Sequence, residues 1–416
     1  MSSKLPDAAD VPPKLRPLDI RPHTQNGVDY LLLRDPLQLA DNSLLIPQPL
    51  SALLAFFDGA LTPRGIVDKF AATYGFAVKL DLIEQLITAL DGAWLLDNEN
   101  FRRAHEQARA EFRAAPYRTP ALAGGAYPAD PDDLHTTLEG YRRQAHNGNG
   151  PFAPLAPSPV FGLLSPHIDF LRGGLVYAEV WERAAAAVAE ADLVILFGTD
   201  HAGSDPFTLT RQSYATPYGT LPTATPLVDA LAAHLGEEAA FAGELRHRTE
   251  HSLELVAVWL HHMRARRPVE LLPILVGGFH RFYANGGNPG QDAVIAQVLD
   301  ALRTLTTGRR VVVVASGDLA HVGPAFGQAA LDTAQRRVVQ RADQTLIEQM
   351  AAGDAEGFYR AIHAIGDRHN VCGVAPIYLT LRLLSDVEGT PAGYQSCPAD
   401  GVNQSAVTVG GMIFQG

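Results

Sequence analysis

The chain has 416 residues, 47 % of them hydrophobic types and 19 % charged, which supplies a sizeable core, excludes general disorder and suggests two domains. Its net charge of −12 gives it no overall electrostatic attraction to nucleic acid. No lysine follows Lys79, so a P-loop or Schiff-base lysine is excluded beyond that point, and two cysteines, Cys372 and Cys397, cannot build a disulfide scaffold.

Residues 1–22 hold five prolines and read as an extended, partly ordered arm. The first unit, residues 23–100, opens with two short strands near Tyr30–Arg34 and Ser43–Ile46. Three helical segments follow: Gln48–Phe57, Ile66–Tyr74 and Lys79–Leu90. Thr62-Pro63 supplies a cap residue and a proline at the first turn of the second helix, and Gly75 closes it. In the third, Leu80, Ile83, Leu86, Ile87 and Leu90 form one stripe. Trp94-Leu95-Leu96 reads as a returning strand. His23 is this unit's one histidine and it has no cysteine, so binding is expected of it rather than chemistry. The run of core and turn residues over 28–97 resembles the small winged-helix domains that serve peptide-modifying enzymes as chaperone or recognition elements. The acidic charge argues against the DNA-binding use of that fold. Residues 101–117 read as a connecting helix, Phe101–Phe112, and a linker.

The second unit, residues 118–416, alternates short apolar runs with longer helical patterns. The runs Val160–Leu164, Leu193–Phe197, Leu271–Val276, Val311–Ala315 and Val407–Ile413 are nearly continuously apolar, as expected of strands covered on both faces. Helices fit Tyr177–Glu190, Pro226–Leu235, Leu253–Arg264, Asp292–Leu305, Phe326–Met350 and Pro376–Leu384. The fold class is α/β, with a central mostly parallel or mixed sheet flanked by helices, preceded by the small winged-helix-like α+β domain. Neither GxGxxG nor GxxxxGK[ST] is present, so a dinucleotide or nucleoside triphosphate site is not expected. No apolar run reaches the roughly 18 residues of a membrane helix, and no secretory signal pattern opens the chain. A cytoplasmic protein that binds neither nucleic acid nor membrane is expected.

Chemistry-bearing residues follow three of the apolar runs: His167 and Asp169 in SPHIDFLRGG, Asp200 and His201 in GTDHAG, and Asp318 and His321 in SGDLAH. Ligands of open α/β sheets bind beyond the carboxyl ends of strands. Glu250-His251 opens a helix, where capping alone accounts for the glutamate but not for the histidine. Cys372 immediately precedes another helix, a position that lowers a thiol pKa. Two imidazoles and one anionic ligand hold a divalent metal with open positions. On that pattern His167, His201 and Cys372 are the metal ligands, and Asp169 or Asp318 is an alternative to the cysteine. Asp169, Asp200 and Glu250 stand in support around them. His251, His321, Asp318 and Cys372 are candidate catalytic groups, with Asp318 orienting His321. Without metal, Cys372 and a histidine would form a nucleophile pair.

These motifs, with RTPALAGGAYP from Arg118, EHSLE from Glu250, LLPILVG from Leu271 and CG at Cys372, resemble the Memo-like family, protein B of the AmmeMemoRadiSam system. Its fold is related to the class III extradiol-type dioxygenases. The resemblance places the family's two strand-end histidines on His167 and His201, its cleft cysteine on Cys372, and its Asp/His pair on Asp318 and His321. The sequence departs from the commoner pattern with Ile168-Asp169 in SPHIDF and Thr199-Asp200 in GTDH. The resemblance implies a metal-dependent redox enzyme using iron(II) or copper, with zinc as the alternative metal, acting on a small molecule or peptide. Radical-SAM and AMMECR1-like proteins are its implied partners, and a homodimer is compatible with the apolar faces. Two other readings remain open: a non-catalytic peptide- or protein-binding module, and a metal-assisted hydrolase or cysteine-dependent transferase.

Overall fold

A computed structural model describes residues 11–40, 43–148, 155 and 158–416. The first ten residues of the N-terminal arm expected above lie outside the described residues. The chain forms two compact units, residues 1–114 and 115–416. Among the described residues, no helix is long and apolar enough to cross a membrane.

In the first unit, β1 (Asp19–Gln25), β2 (Val28–Arg34) and β3 (Leu44–Pro47) make an antiparallel sheet in that order. Helices Pro63–Tyr74, Leu80–Gly92 and Glu99–Ala114 follow. The Thr62 side chain accepts from the Gly65 N–H, and Gly75 ends the helix at φ 78°. Leu33, Leu53, Ile66, Ile83, Leu90 and Leu95 pack the core.

Three elements differ from the sequence reading. Strand β1 lies in and beyond the expected arm; it is polar and exposed, so no apolar alternation announced it. The expected helix Gln48–Phe57 shrinks to a 3-10 turn, Gln48–Leu50, and one α-turn, Ser51–Leu54. Beyond it, the Phe57 carbonyl accepts from the Leu15 N–H at 2.8 Å and Lys14 bridges Asp58, which draws the chain away from the helix axis. Trp94–Leu96 is not a strand: Trp94 has φ 54°, and pairing there is limited to the single bridge Leu15–Leu96.

The second unit is built on strands β4 (Val160–Ser165), β5 (Leu193–Thr199), β6 (Thr208–Leu209), β7 (Tyr214–Thr216), β8 (Gly219–Leu221), β9 (Glu270–Val276), β10 (Val311–Ser316), β11 (His321–Val322), β12 (Glu388–Pro398) and β13 (Ala406–Gln415). Eight of them form one mixed sheet. Seven run in the order β11-β13-β4-β10-β5-β9-β6, and β12 pairs with β13 at its other side. Strands β4, β10, β5 and β9 are parallel, while β13 and β6 run antiparallel to their neighbours β4 and β9. Strands β7 and β8 form a separate hairpin. Adjacent residues serve opposite layers: Leu164, Ile195 and Val313 join one core, and Leu163, Val194 and Val312 the other. Both faces are therefore covered by helices, among them Phe170–Glu190 and His251–Met263 on one side and Ala293–Leu305 and Val374–Leu384 on the other.

Two further differences appear here. The helix expected from Phe326 begins at Thr333, because Gly327 turns at φ 74° and Asp332 forms a capping box with Gln335. Strand β12 was not read from the sequence; it is a half-exposed edge strand carrying Pro391 and an irregularity between Pro391 and Tyr394.

Asp343, on helix Thr333–Ala351, is 1 % exposed and accepts from the Tyr394 hydroxyl at 2.8 Å. Burial pushes its carboxyl up to about 6 from 3.8. A carboxyl raised on folding favours the folded state below its unfolded pKa, and that contribution is lost as pH rises through the folded value. Between about pH 4 and pH 6 Asp343 is expected to cost the fold up to about 3 kcal/mol. D343N removes this loss, so urea midpoints of wild type and D343N diverge in favour of D343N as pH rises. A constant difference between them across that window would show that Asp343 ionises freely in the fold.

Candidate metal centre

The parallel strands bring their carboxyl ends level. Ser316 at the end of β10 pairs in register with Ser165 of β4 on one side and Gly198 of β5 on the other. The chain leaves β4 into Pro166-His167, β5 into Asp200-His201 and β10 into Gly317-Asp318. Small residues let the other two segments approach. A Cβ on Gly198 would sit 2.6 Å from Leu253 Cδ2, so the bare backbone admits the start of helix His251–Met263. A Cβ on Gly317 would sit 2.5 Å from the Gly373 Cα, so the turn carrying Cys372 rests directly on the end of β10.

The imidazoles of His167, His201 and His251 consequently form a triangle, with ring centroids 5.0 Å apart for 167–201, 5.2 Å for 167–251 and 4.5 Å for 201–251. His167 Nε2 lies 3.0 Å from Cys372 Sγ. Ligand atoms of His167, His201 and Cys372 all lie within 4.8 Å of one another. The same holds for the sets His201, Glu250, His251 and Asp318, His321, Cys372.

Hydrogen bonds select which ring nitrogen faces inward. The Ser316 hydroxyl donates its one proton to the Ser252 carbonyl at 2.5 Å, so its oxygen accepts from His167 Nδ1, 3.3 Å away. Glu250 Oε1 accepts from His201 Nδ1 at 3.0 Å, and Oε2 accepts from the His201 backbone N–H at 3.1 Å. His167 thus carries the Nδ1 proton and turns an Nε2 lone pair to the centre, and His201 does the same once its Nε2 proton is given up to a cation, the arrangement of a metal-binding histidine fixed from behind. His251 Nδ1 lies 3.1 Å from Glu250 Oε1, so one carboxylate serves two imidazoles.

The charges follow from this packing. Burial, with His201 and His251 alongside, holds the His167 pKa well below its ordinary value. Burial also opposes a charge on His201, but Glu250 and Cys372 outweigh it and raise that pKa well above the usual value. Glu250 is held well below its usual range, its desolvation overcome by His201 and His251. Burial pushes the Cys372 thiol up, partly offset by His201. A divalent cation would reverse this last effect, because metal ligation deprotonates a thiol outright.

Several expected roles are placed differently. Asp318 does not orient His321. Its Oδ1 accepts from the backbone N–H groups of His167 at 2.8 Å and Ile168 at 3.3 Å, so it holds the loop, with burial pushing its carboxyl up to about 6. His321 Nδ1 instead faces the Leu319 carbonyl at 3.2 Å, and burial takes its pKa down to about 4. Asp169 caps helix Phe170–Glu190 and pairs with Arg172 at 2.6 Å. Asp200 pairs with Arg246 at 2.7 Å. Neither joins the ligand sets among the described residues, whereas Glu250 does.

Sequence reasoning missed the supports: Ser316 and Ser252 behind His167, and a clamp around Glu254. The buried Glu254 carboxylate pairs with the buried Arg118 and accepts from the Ala121 and Leu122 N–H groups, each at 2.8 Å, and from the Tyr127 hydroxyl. Arg118 also donates to the carbonyls of His247 at 2.8 Å and Glu250 at 3.1 Å. The segment 118–127 thereby fixes the turn that carries Glu250 and His251. The available signal was the five-residue span EHSLE, in which Glu254 falls one turn after Glu250.

Comparison with known proteins matches residues 118–413 to a family model described as Memo-like protein. A "MEMO1 family protein" of Aquifex aeolicus is 25 % identical over 412 residues, spanning 97 % of this chain and 99 % of its own. A "MEMO1 family protein" of Methanosarcina acetivorans is 28 % identical over 278 residues, 66 % of this chain and 89 % of its own. One of Thermus thermophilus is 28 % identical over 334 residues, 79 % of this chain and 91 % of its own.

Proposed function

The chain belongs to the Memo-like family, and from that premise we propose that its second unit is a metal-dependent redox enzyme. The observation that carries the reading is the pair of Nδ1-anchored imidazoles, His167 and His201, each with a ligand atom within 4.8 Å of the other and of the Cys372 sulfur. His167, His201 and Cys372 would hold iron(II) or copper, with zinc the alternative. Such a metal supplies redox chemistry at open coordination positions. Cys372 presents the anionic ligand, with its proton released on binding. Glu250 anchors His201 through Nδ1 and lies beside His251, and His251 and His321 hold or move protons at the edge of the site. We read the second unit as a relative of the class III extradiol-type dioxygenases, a reading supported by its mixed sheet flanked by helices and by the chemical residues at its strand ends.

We assign the first unit, within residues 23–100, to recognition of a peptide, as in winged-helix chaperone and recognition domains. Its supports are a small antiparallel sheet with a helical core and a histidine- and cysteine-poor composition. Residues 101–117 connect it to 118–416. A radical-SAM protein and an AMMECR1-like protein are the partners this reading names, with the cytoplasm as the setting.

The test of the enzyme reading is metal content after purification without oxygen and reconstitution with iron, copper and zinc in turn. About one iron or copper per chain that H167A fails to take up, followed by oxygen uptake in a substrate screen, is the expected result. A chain that takes up none of the three defeats the reading and leaves a thiol-based or binding cleft.

A further inference from the structure

Away from the strand ends, a second group of metal-ligating atoms gathers between two helices. His135 and Glu139 are four residues apart on helix Pro131–Gly148, a spacing that places both on one face. His262 comes from the last turn of helix His251–Met263. Ligand atoms of the three residues all lie within 4.8 Å of one another. His262 Nε2 is 3.0 Å from Glu139 Oε1, and the rings of His135 and His262 are 5.3 Å apart. His262 is buried, Glu139 half-buried and His135 exposed, so the group opens to solvent on one side. We propose that His135, Glu139 and His262 form a second metal site, separate from the strand-end centre, for a divalent cation of the zinc type.

The donor set suits that ion. Two imidazoles and one carboxylate, with water in a fourth position, is a common zinc arrangement. Bonds of about 2.0–2.2 Å place ligand atoms roughly 3.3 Å apart in a tetrahedron, close to the separation His262 and Glu139 already have. The exposed His135, with a ligand atom already within 4.8 Å of the other two, supplies the third. Behind His262, the Tyr218 hydroxyl lies 3.2 Å from Nδ1. A phenol both donates and accepts, so when a cation replaces the Nε2 proton the hydroxyl accepts from Nδ1–H, and the ring keeps its anchor.

The competing cation is already provided for. Glu139 pairs with Arg142, but Arg142 also pairs with Glu182 and keeps a partner when Glu139 turns to a metal. His251 and His262 sit at opposite ends of one helix, and 11 residues at 1.5 Å each separate them by about 16 Å. The two centres therefore cannot share an ion.

The test is a zinc titration of the full chain after chelator treatment, on wild type, H135A and E139Q. Both replaced side chains are outside the strand-end site, and His135 is exposed, so H135A is expected to keep the metal-free melting temperature. The expected result is one zinc equivalent fewer in H135A than in wild type, with E139Q likewise reduced. Cobalt(II) should give wild type a tetrahedral absorption band that H135A lacks. Equal zinc stoichiometry in wild type and H135A overturns the proposal, whatever the strand-end centre binds.

Discussion

His167→Ala is expected to reduce bound iron or copper from about one per chain to a trace, with metal affinity falling by at least about 100-fold. The His167 ring is buried, its Nδ1 is tied to Ser316 and its Nε2 aims at Cys372, so the ligand is already oriented before a metal arrives. Alanine leaves two proposed ligands, His201 and Cys372, on separate loops. Ser316→Ala provides a graded counterpart: it keeps the ligand but frees its orientation, and a loss of about 10-fold to 100-fold is the usual scale for such a support. His321→Ala should retain the metal, since its Nδ1 is engaged by Leu319 and it lies outside the proposed ligand trio. Metal analysis and anaerobic titration of the three variants check the order. A fully loaded H167A would remove His167 from the ligand set.

Arg118→Ala is expected to destabilise the second unit by about 3–5 kcal/mol, the scale for removing one partner of a buried ion pair. Arg118 and Glu254 are both fully buried, and the glutamate would be left with its charge and only neutral donors. The damage should extend to metal binding, because the guanidinium also holds the Glu250 carbonyl. Replacing both members, as in R118M/E254L, should cost less than the two single changes added together. Urea denaturation of the four proteins measures the coupling. A cost below about 1 kcal/mol for R118A would mean the pair carries no structural load.

Five buried strands were legible as near-continuous apolar runs, because a strand covered on both faces must be apolar at successive positions. His167, His201 and Cys372 were legible as chemical residues at the ends of such runs. Their convergence was not: it depends on β10 lying between β4 and β5 although it comes long after both in the chain. The partners of the acidic residues were equally hidden. Asp200 and Asp318 each look like metal or proton groups beside a histidine, yet one is committed to Arg246 and the other to backbone N–H groups of a different loop. Polar pairings between distant segments leave no periodicity to read. Strands β1 and β12 escaped notice for the related reason that exposed or proline-bearing edges carry no continuous apolar signal.

The contact between Gly317 and Gly373 fixes a dimension of the centre. One follows the strand that carries Ser316, the other follows Cys372, and neither has a side chain to compress or rotate. The Gly373 N–H also donates to the Asp318 carbonyl at 3.0 Å, locking the two turns together. The reach of the sulfur toward His167 is therefore set by two touching backbones, not by a packed side chain that could adapt. A site with that spacer has little freedom to widen for a larger ion or to close on a smaller one. Ion size therefore counts in its choice among metals, beside ligand softness and electron affinity.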